Sequence, residues 1–76
     1  MKIKDMKYVN IINYADFNDY DLTLYEVMEY IDNLDLDNIE IGEFNLFYFK
    51  KYNLFVDVFF YWNSSNILIC KIEHIY

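Results

Sequence analysis

Leu54-Phe-Val-Asp-Val-Phe-Phe-Tyr-Trp62 is the stretch whose reading decides the fold. Its side chains alternate between two faces. Leu54, Val56, Val58, Phe60 and Trp62 fall on one face of a strand, and Phe55, Asp57, Phe59 and Tyr61 on the other. β-Branched and aromatic residues favour the pleated, half-buried surface of a sheet. This strand is the strongest in the chain, and its neighbours are read from it. Asn63-Ser-Ser-Asn66 makes the turn that follows, and Ile67–Tyr76 the last strand. On the other side, Lys50–Asn53 is a hairpin with Asn53 in the left-handed position. Before it comes a strand over Ile39–Phe49, bent or bulged at Gly42, the single glycine.

Further upstream the period changes. Thr23-Leu-Tyr-Glu26 matches a capping box, with Asp21 as a competing cap. Leu24, Val27, Met28, Ile31 and Leu34 then follow the 3/4 spacing of one buried helical stripe, so the helix is expected to run to about Leu34. Asp35–Asn38 is a tight acidic loop. Ala15–Asp21 is a polar turn, and residues 6–14 are a first strand. There Met6, Tyr8, Ile12 and Tyr14 share one face, and Val9 and Ile11 the other. The order is β-α-β-β-β. It predicts a single α+β domain over residues 1–76, with one amphipathic helix packed on a four-stranded, mainly antiparallel sheet.

One helix covers one face of a sheet. Yet three strands carry large apolar residues on both faces. The second face is expected to expose some of Phe55, Phe59, Tyr61, Ile67 and Ile69, with Phe47 and Phe49 beside them. Exposed apolar surface of that extent marks an interface, which predicts a homodimer or a tightly held partner. The alternative is that loop 15–21 folds over this face with Phe17 and Tyr20 as a lid.

The second organising feature is charge. Between Asp16 and Glu43 lie Asp16, Asp19, Asp21, Glu26, Glu29, Asp32, Asp35, Asp37, Glu40 and Glu43, ten of the chain's 13 acids, with no lysine among them. The chain has no arginine, and its six lysines could neutralise at most six of these carboxylates. The net charge is −7. That argues against direct nucleic-acid binding, which needs Lys/Arg contacts to phosphates, and equally against anionic membrane surfaces. It favours a basic partner captured by charge steering. An apolar content of 57% excludes a disordered chain.

Motifs for chemistry are missing. A calcium loop starting at Asp16 places Tyr20, Asp21 and Val27 where a ligand, Gly and Glu are required; starting at Asp19 it fails at Leu24 and Tyr30. His74 and Cys70 stand four residues apart on a strand, which puts them on one face but separates them by about 13 Å. They can form neither a dyad nor a zinc site, and there is no second histidine. Cys70 is expected in the core, and as the only cysteine it fits a reducing compartment. The expectation is therefore no enzyme, no metal and no cofactor. Lys2, Lys4 and Lys7 could open a signal peptide, but the following Tyr8–Tyr14 is broken by Asn10 and Asn13, so none is expected, and no stretch approaches a membrane span. Ile, Asn, Tyr, Phe and Lys, all with AT-rich codons, dominate the composition. This suggests a low-GC bacterium, or its phage or plasmid, and action in the bacterial cytoplasm.

In size, acidity and lack of catalytic residues the chain resembles small phage-encoded inhibitors of bacterial defence, above all anti-CRISPR proteins and other DNA mimics. The resemblance lies in the general character of the whole chain and carries over no residues. It implies a non-enzymatic inhibitor that covers the basic nucleic-acid-binding surface of a protein or ribonucleoprotein complex. The ten acids between Asp16 and Glu43 are the candidate partner-binding residues, on the distribution of charge alone. Two alternatives share the features: an immunity protein or antitoxin that plugs a basic nuclease toxin, and a homodimeric structural or assembly module whose acidity maintains solubility.

Overall fold

The computed structural model describes residues Met1–Tyr76. Strands β1 (Val9–Asn13), β2 (Phe44–Phe49), β3 (Leu54–Trp62) and β4 (Leu68–Ile75) form one sheet in the order β1-β4-β3-β2, and a single helix, α1 (Leu24–Asp32), follows β1. The predicted β-α-β-β-β order and α+β class hold. The two hairpins, β2–β3 and β3–β4, are antiparallel, whereas β1 lies parallel to β4. A crossover through α1 is what a parallel neighbour requires. With nine residues at about 3.3 Å each, β3 is about 30 Å long, so the strands run along the 35 Å dimension of a molecule measuring 35 × 21 × 19 Å. No helix is long and apolar enough to cross a membrane.

The core forms between α1 and one sheet face. Val56, Val58 and Phe60 of β3 are fully buried there, with Leu68, Cys70 and Ile72 of β4 and Val27 and Ile31 of α1. Leu54 and Trp62 share the face of β3 but lie near its ends, where Trp62 is 43% exposed. Every buried side chain is apolar or the lone cysteine. Thr23 caps α1 as the sequence predicts: the Glu26 amide donates to Thr23 Oγ1 at 3.2 Å and the Thr23 amide donates to Glu26 Oε1 at 3.4 Å. Such caps contribute about 1 kcal/mol.

Several boundaries differ from expectation. The helix stops at Asp32, with Asn33 as its cap. Met28, placed on the buried stripe by its spacing, is exposed at the edge of the sheet. β2 begins at Phe44 rather than Ile39, because Gly42 takes a left-handed φ of 82° in a turn that breaks the regular register, although its amide still donates to the Phe60 carbonyl at 2.7 Å. The first strand shortens to Val9–Asn13. Residues before it make a 3₁₀ turn, Ile3–Asp5, that buries Ile3 under the helix end. Met6 precedes the strand and packs against the core instead of sharing a face with Tyr8. Phe47 and Phe49 also face the core, where Tyr30 of α1 meets their rings at 5.3 and 5.0 Å. Phe44, Leu46 and Tyr48 occupy the open side of β2 instead. Asn53 has the expected left-handed conformation, φ 53°, and Asn66 shares it in the next turn.

A β-bulge in β4 redirects one further pair. Val58 stands opposite Ile72 but Asp57 stands opposite His74, which makes Glu73 the extra residue. The alternation is broken there. Cys70 therefore faces the core and His74 the open face, where strict period-2 placement put them on one side.

Candidate functional site

The acidic stretch divides into three groups along the strand direction. Asp16, Asp19 and Asp21 sit on the β1–α1 loop at one end. Glu26, Glu29 and Asp32 lie along α1. Asp35, Asp37, Glu40 and Glu43 lie on the loops at the other end, none of them on a strand. The fold breaks the isolation from cations that the sequence suggests. The Met1 ammonium reaches Asp35 Oδ1 at 3.3 Å. Lys51 lines the same cleft as Asp19 and Asp21, and Lys4 the same cleft as Glu29 and Asp32.

Two of the ten carboxylates are committed to the fold. Glu26 closes the capping box and accepts a hydrogen bond from the Tyr52 hydroxyl at 2.6 Å, which ties α1 to the β2–β3 hairpin. That bond holds the Glu26 carboxyl below its ordinary range and pushes the Tyr52 phenol up. Asp35 accepts from the Asp37 amide at 3.1 Å; this bond, then the Met1 ammonium, lowers its carboxyl. Asp16 accepts only a local bond, from the Asn18 amide at 2.9 Å. Side chains of the other seven (Asp19, Asp21, Glu29, Asp32, Asp37, Glu40 and Glu43) make neither a hydrogen bond nor an ion pair.

A depressed carboxyl stabilises the fold above its unfolded pKa, and that contribution is lost as pH falls through the folded value. For Glu26 the loss begins below its ordinary value of 4.5. Glu26→Gln is therefore expected to be less stable than the native chain at neutral pH, with the gap closing as pH falls below that value. Urea denaturation at neutral and acid pH checks this.

The open sheet face is the second candidate surface. Phe44 and Phe59 meet edge to face at 5.1 Å; Phe55 lies between Tyr48 at 4.8 Å and Tyr76 at 6.5 Å. Lys71 crosses the middle with its ammonium 5.2 Å from the Tyr61 ring and 5.8 Å from the Tyr14 ring. Asp57 receives the His74 amide at 2.7 Å and the His74 ring at 3.2 Å. Of the residues expected here, Phe55 is exposed and Phe59 and Tyr61 are half-buried by these neighbours. Ile67 is half-buried just before β4, and Ile69 is only 5% exposed beside Tyr61. The proposed lid does not form. Phe17 packs into the helix-side core, and Tyr20 lines a shallow cleft with Asp16, Asp19, Glu73 and His74. Tyr14 and Tyr76, outside the predicted set, belong to this face, and only the register of β1 and the end of β4 could have placed them.

Cys70 is fully buried, and burial pushes its thiol up to about 12, with the Asp32 charge adding to the effect. A thiolate is the reactive species. Aromatic-disulfide reagents are expected to leave Cys70 unmodified in the folded chain at neutral pH and to react once urea unfolds it. Rapid reaction under native conditions would contradict this placement. No group of three or more His, Cys, Asp or Glu side chains converges as a metal site would require.

No protein-family model matches the chain, and comparison with curated proteins and with solved structures returned no match.

Proposed function

We propose that this chain is a non-enzymatic inhibitor that lays its carboxylates on the basic, nucleic-acid-binding surface of a protein complex. The observation that carries this is the set of seven unpartnered carboxylates reaching from one end of the molecule to the other. The eight carboxylates that the fold leaves free, Asp16 included, average one charge per about 4.4 Å along a 35 Å molecule. That is of the same order as the ~3.4 Å axial spacing of phosphates along one strand of duplex DNA. A groove evolved for phosphates would find a comparable row of charge here. The aromatic face, on the side of the sheet away from α1, adjoins the loop acids Asp16 and Asp19 and supplies apolar contact area beside them. In character this matches phage-encoded inhibitors of bacterial defence such as anti-CRISPR proteins, acting in the host cytoplasm.

The test is a pull-down from lysate of a low-GC bacterium, washed at low salt and eluted by a salt step, with mass spectrometry of the eluate. A nucleic-acid-handling complex is expected, absent when Asp16, Asp19, Asp21, Glu29, Asp32, Asp37, Glu40 and Glu43 are changed to their amides. An eluate dominated by a nuclease toxin would reassign the chain as an immunity protein. A clean eluate would refute capture in that host.

A further inference from the structure

The least guarded part of the surface is the outer edge of the sheet at β2, Phe44-Asn-Leu-Phe-Tyr-Phe49. Antiparallel pairing engages the N–H and C=O of alternate residues, so the others point away from β3. Outside the β3 ladder, no backbone group of Phe44–Tyr48 makes a hydrogen bond. The strand carries no charge, proline or bulge, the usual devices that protect an edge. It is also an uncharged six-residue segment, apolar but for Asn45 and rich in aromatic residues of high β-propensity, a composition prone to strand addition. Phe44, Leu46 and Tyr48 are 58%, 54% and 48% exposed. The opposite edge, β1, is shorter and carries Asn10 and Asn13.

We propose that β2 pairs antiparallel with β2 of a second copy across a twofold axis, joining two sheets of four strands into one of eight. Two features of the chain select a second copy as the occupant. First, the charge on either side of β2 is self-complementary. Lys50 and Lys51 follow the strand, and Glu40 and Glu43 precede it. The Asn45 side chain holds that acidic loop in place: its amide donates to the carbonyls of Glu40 at 2.9 Å and Glu43 at 3.1 Å, and its oxygen accepts from the Glu40 amide at 2.8 Å. Antiparallel pairing brings the lysines of each copy alongside the glutamates of the other, twice, by symmetry. Second, copies of a chain with net charge −7 repel one another over most of their surface, and β2 is a path of approach free of charge. Side chains must stay on the same faces of the joined sheet. An axis near Leu46 satisfies this and sets Phe44 against Tyr48 of the second copy. The aromatic face then runs unbroken across the junction.

This inference shares Glu40 and Glu43 with the proposed partner surface but involves none of Asp16, Asp19, Asp21, Glu29, Asp32 and Asp37, and its test uses the isolated chain, so it can fail while that reading stands, and the reverse. The test is sedimentation equilibrium of the full chain at low salt. Twice 9.4 kDa is expected as concentration rises. Leu46→Lys places like charges on the axis of a half-exposed site and should give a folded monomer. Lys50→Glu should weaken the dimer by about tenfold or more, and adding Glu43→Lys should restore it. A monomer up to the solubility limit would overturn the proposal. So would a dimer that survives both Leu46→Lys and Lys50→Glu, in particular one lost instead on Phe59→Asp, which would assign association to the open face.

Discussion

Phe60→Ala is expected to remove a large part of the stability of the fold. Phe60 is fully buried on the helix-facing side of β3, opposite Cys70, with its ring set edge to face against Phe47 at 6.3 Å. Phe47 in turn meets Tyr30, so this one ring joins both inner strands to the helix. Truncating a buried phenylalanine costs about 3–5 kcal/mol, because the lost transfer energy is compounded by a cavity. Domains hold about 0.05–0.15 kcal/mol per residue, so a chain of 76 residues has roughly 4–11 kcal/mol in total. The melting temperature should fall by roughly 12–40 °C. Phe55→Ala, on the open face of the same strand, should cost distinctly less, since Phe55 is already 38% exposed. Urea denaturation of the two variants distinguishes the faces. Equal losses would mean that the open face is as tightly packed as the core.

Neutralising Asp16, Asp19, Asp21, Glu29, Asp32, Asp37, Glu40 and Glu43 together is expected to abolish partner binding while leaving the fold intact. Glu26 and Asp35 are kept because each holds the fold by a specific bond. Exposed charge pairs contribute about 0.2–1 kcal/mol each, so eight of them account for roughly 2–8 kcal/mol of binding. The lower bound is already more than tenfold in affinity. Stability should hold or rise, because removing like charges relieves self-repulsion. Calorimetry against the captured partner, with circular dichroism as the control for folding, measures both. A variant that unfolds would show the acids to be structural. Restoring only Asp16, Asp19 and Asp21, or only Asp37, Glu40 and Glu43, then shows which end of the molecule carries the contact.

The sequence made the elements legible where a period ran without interruption. β3 alternates for nine residues, and the capping box marks the helix start with two reciprocal bonds. It misled where a single residue interrupts the pattern. Gly42 ends the ladder two residues before β2, and Glu73 bulges out of β4, so positions counted by twos through either point change face. Leu22 and Ile3 are fully buried, but each lies in a polar stretch with no periodic neighbours to reveal it. The acidic stretch is plain in one dimension. Its division into three groups is not, nor is the approach of Met1, Lys4 and Lys51, because these depend on which loops the topology brings to the same end of the sheet. The parallel pairing of β1 with β4 spans almost the whole chain, and no local signal encodes it.

The most direct test of carboxylate capture is the affinity for the isolated partner as a function of salt, with a DNA duplex as competitor. The Debye length falls from about 8 Å at 0.15 M to about 3 Å at 1 M, so contacts between exposed charges lose most of their strength over that range. Affinity is expected to fall steeply with added salt, with a shallower slope for the amide-substituted chain, and the duplex is expected to displace the native chain from the partner. Affinity unchanged up to 1 M salt, and indifferent to the duplex, would contradict the account and assign the contact to the aromatic face.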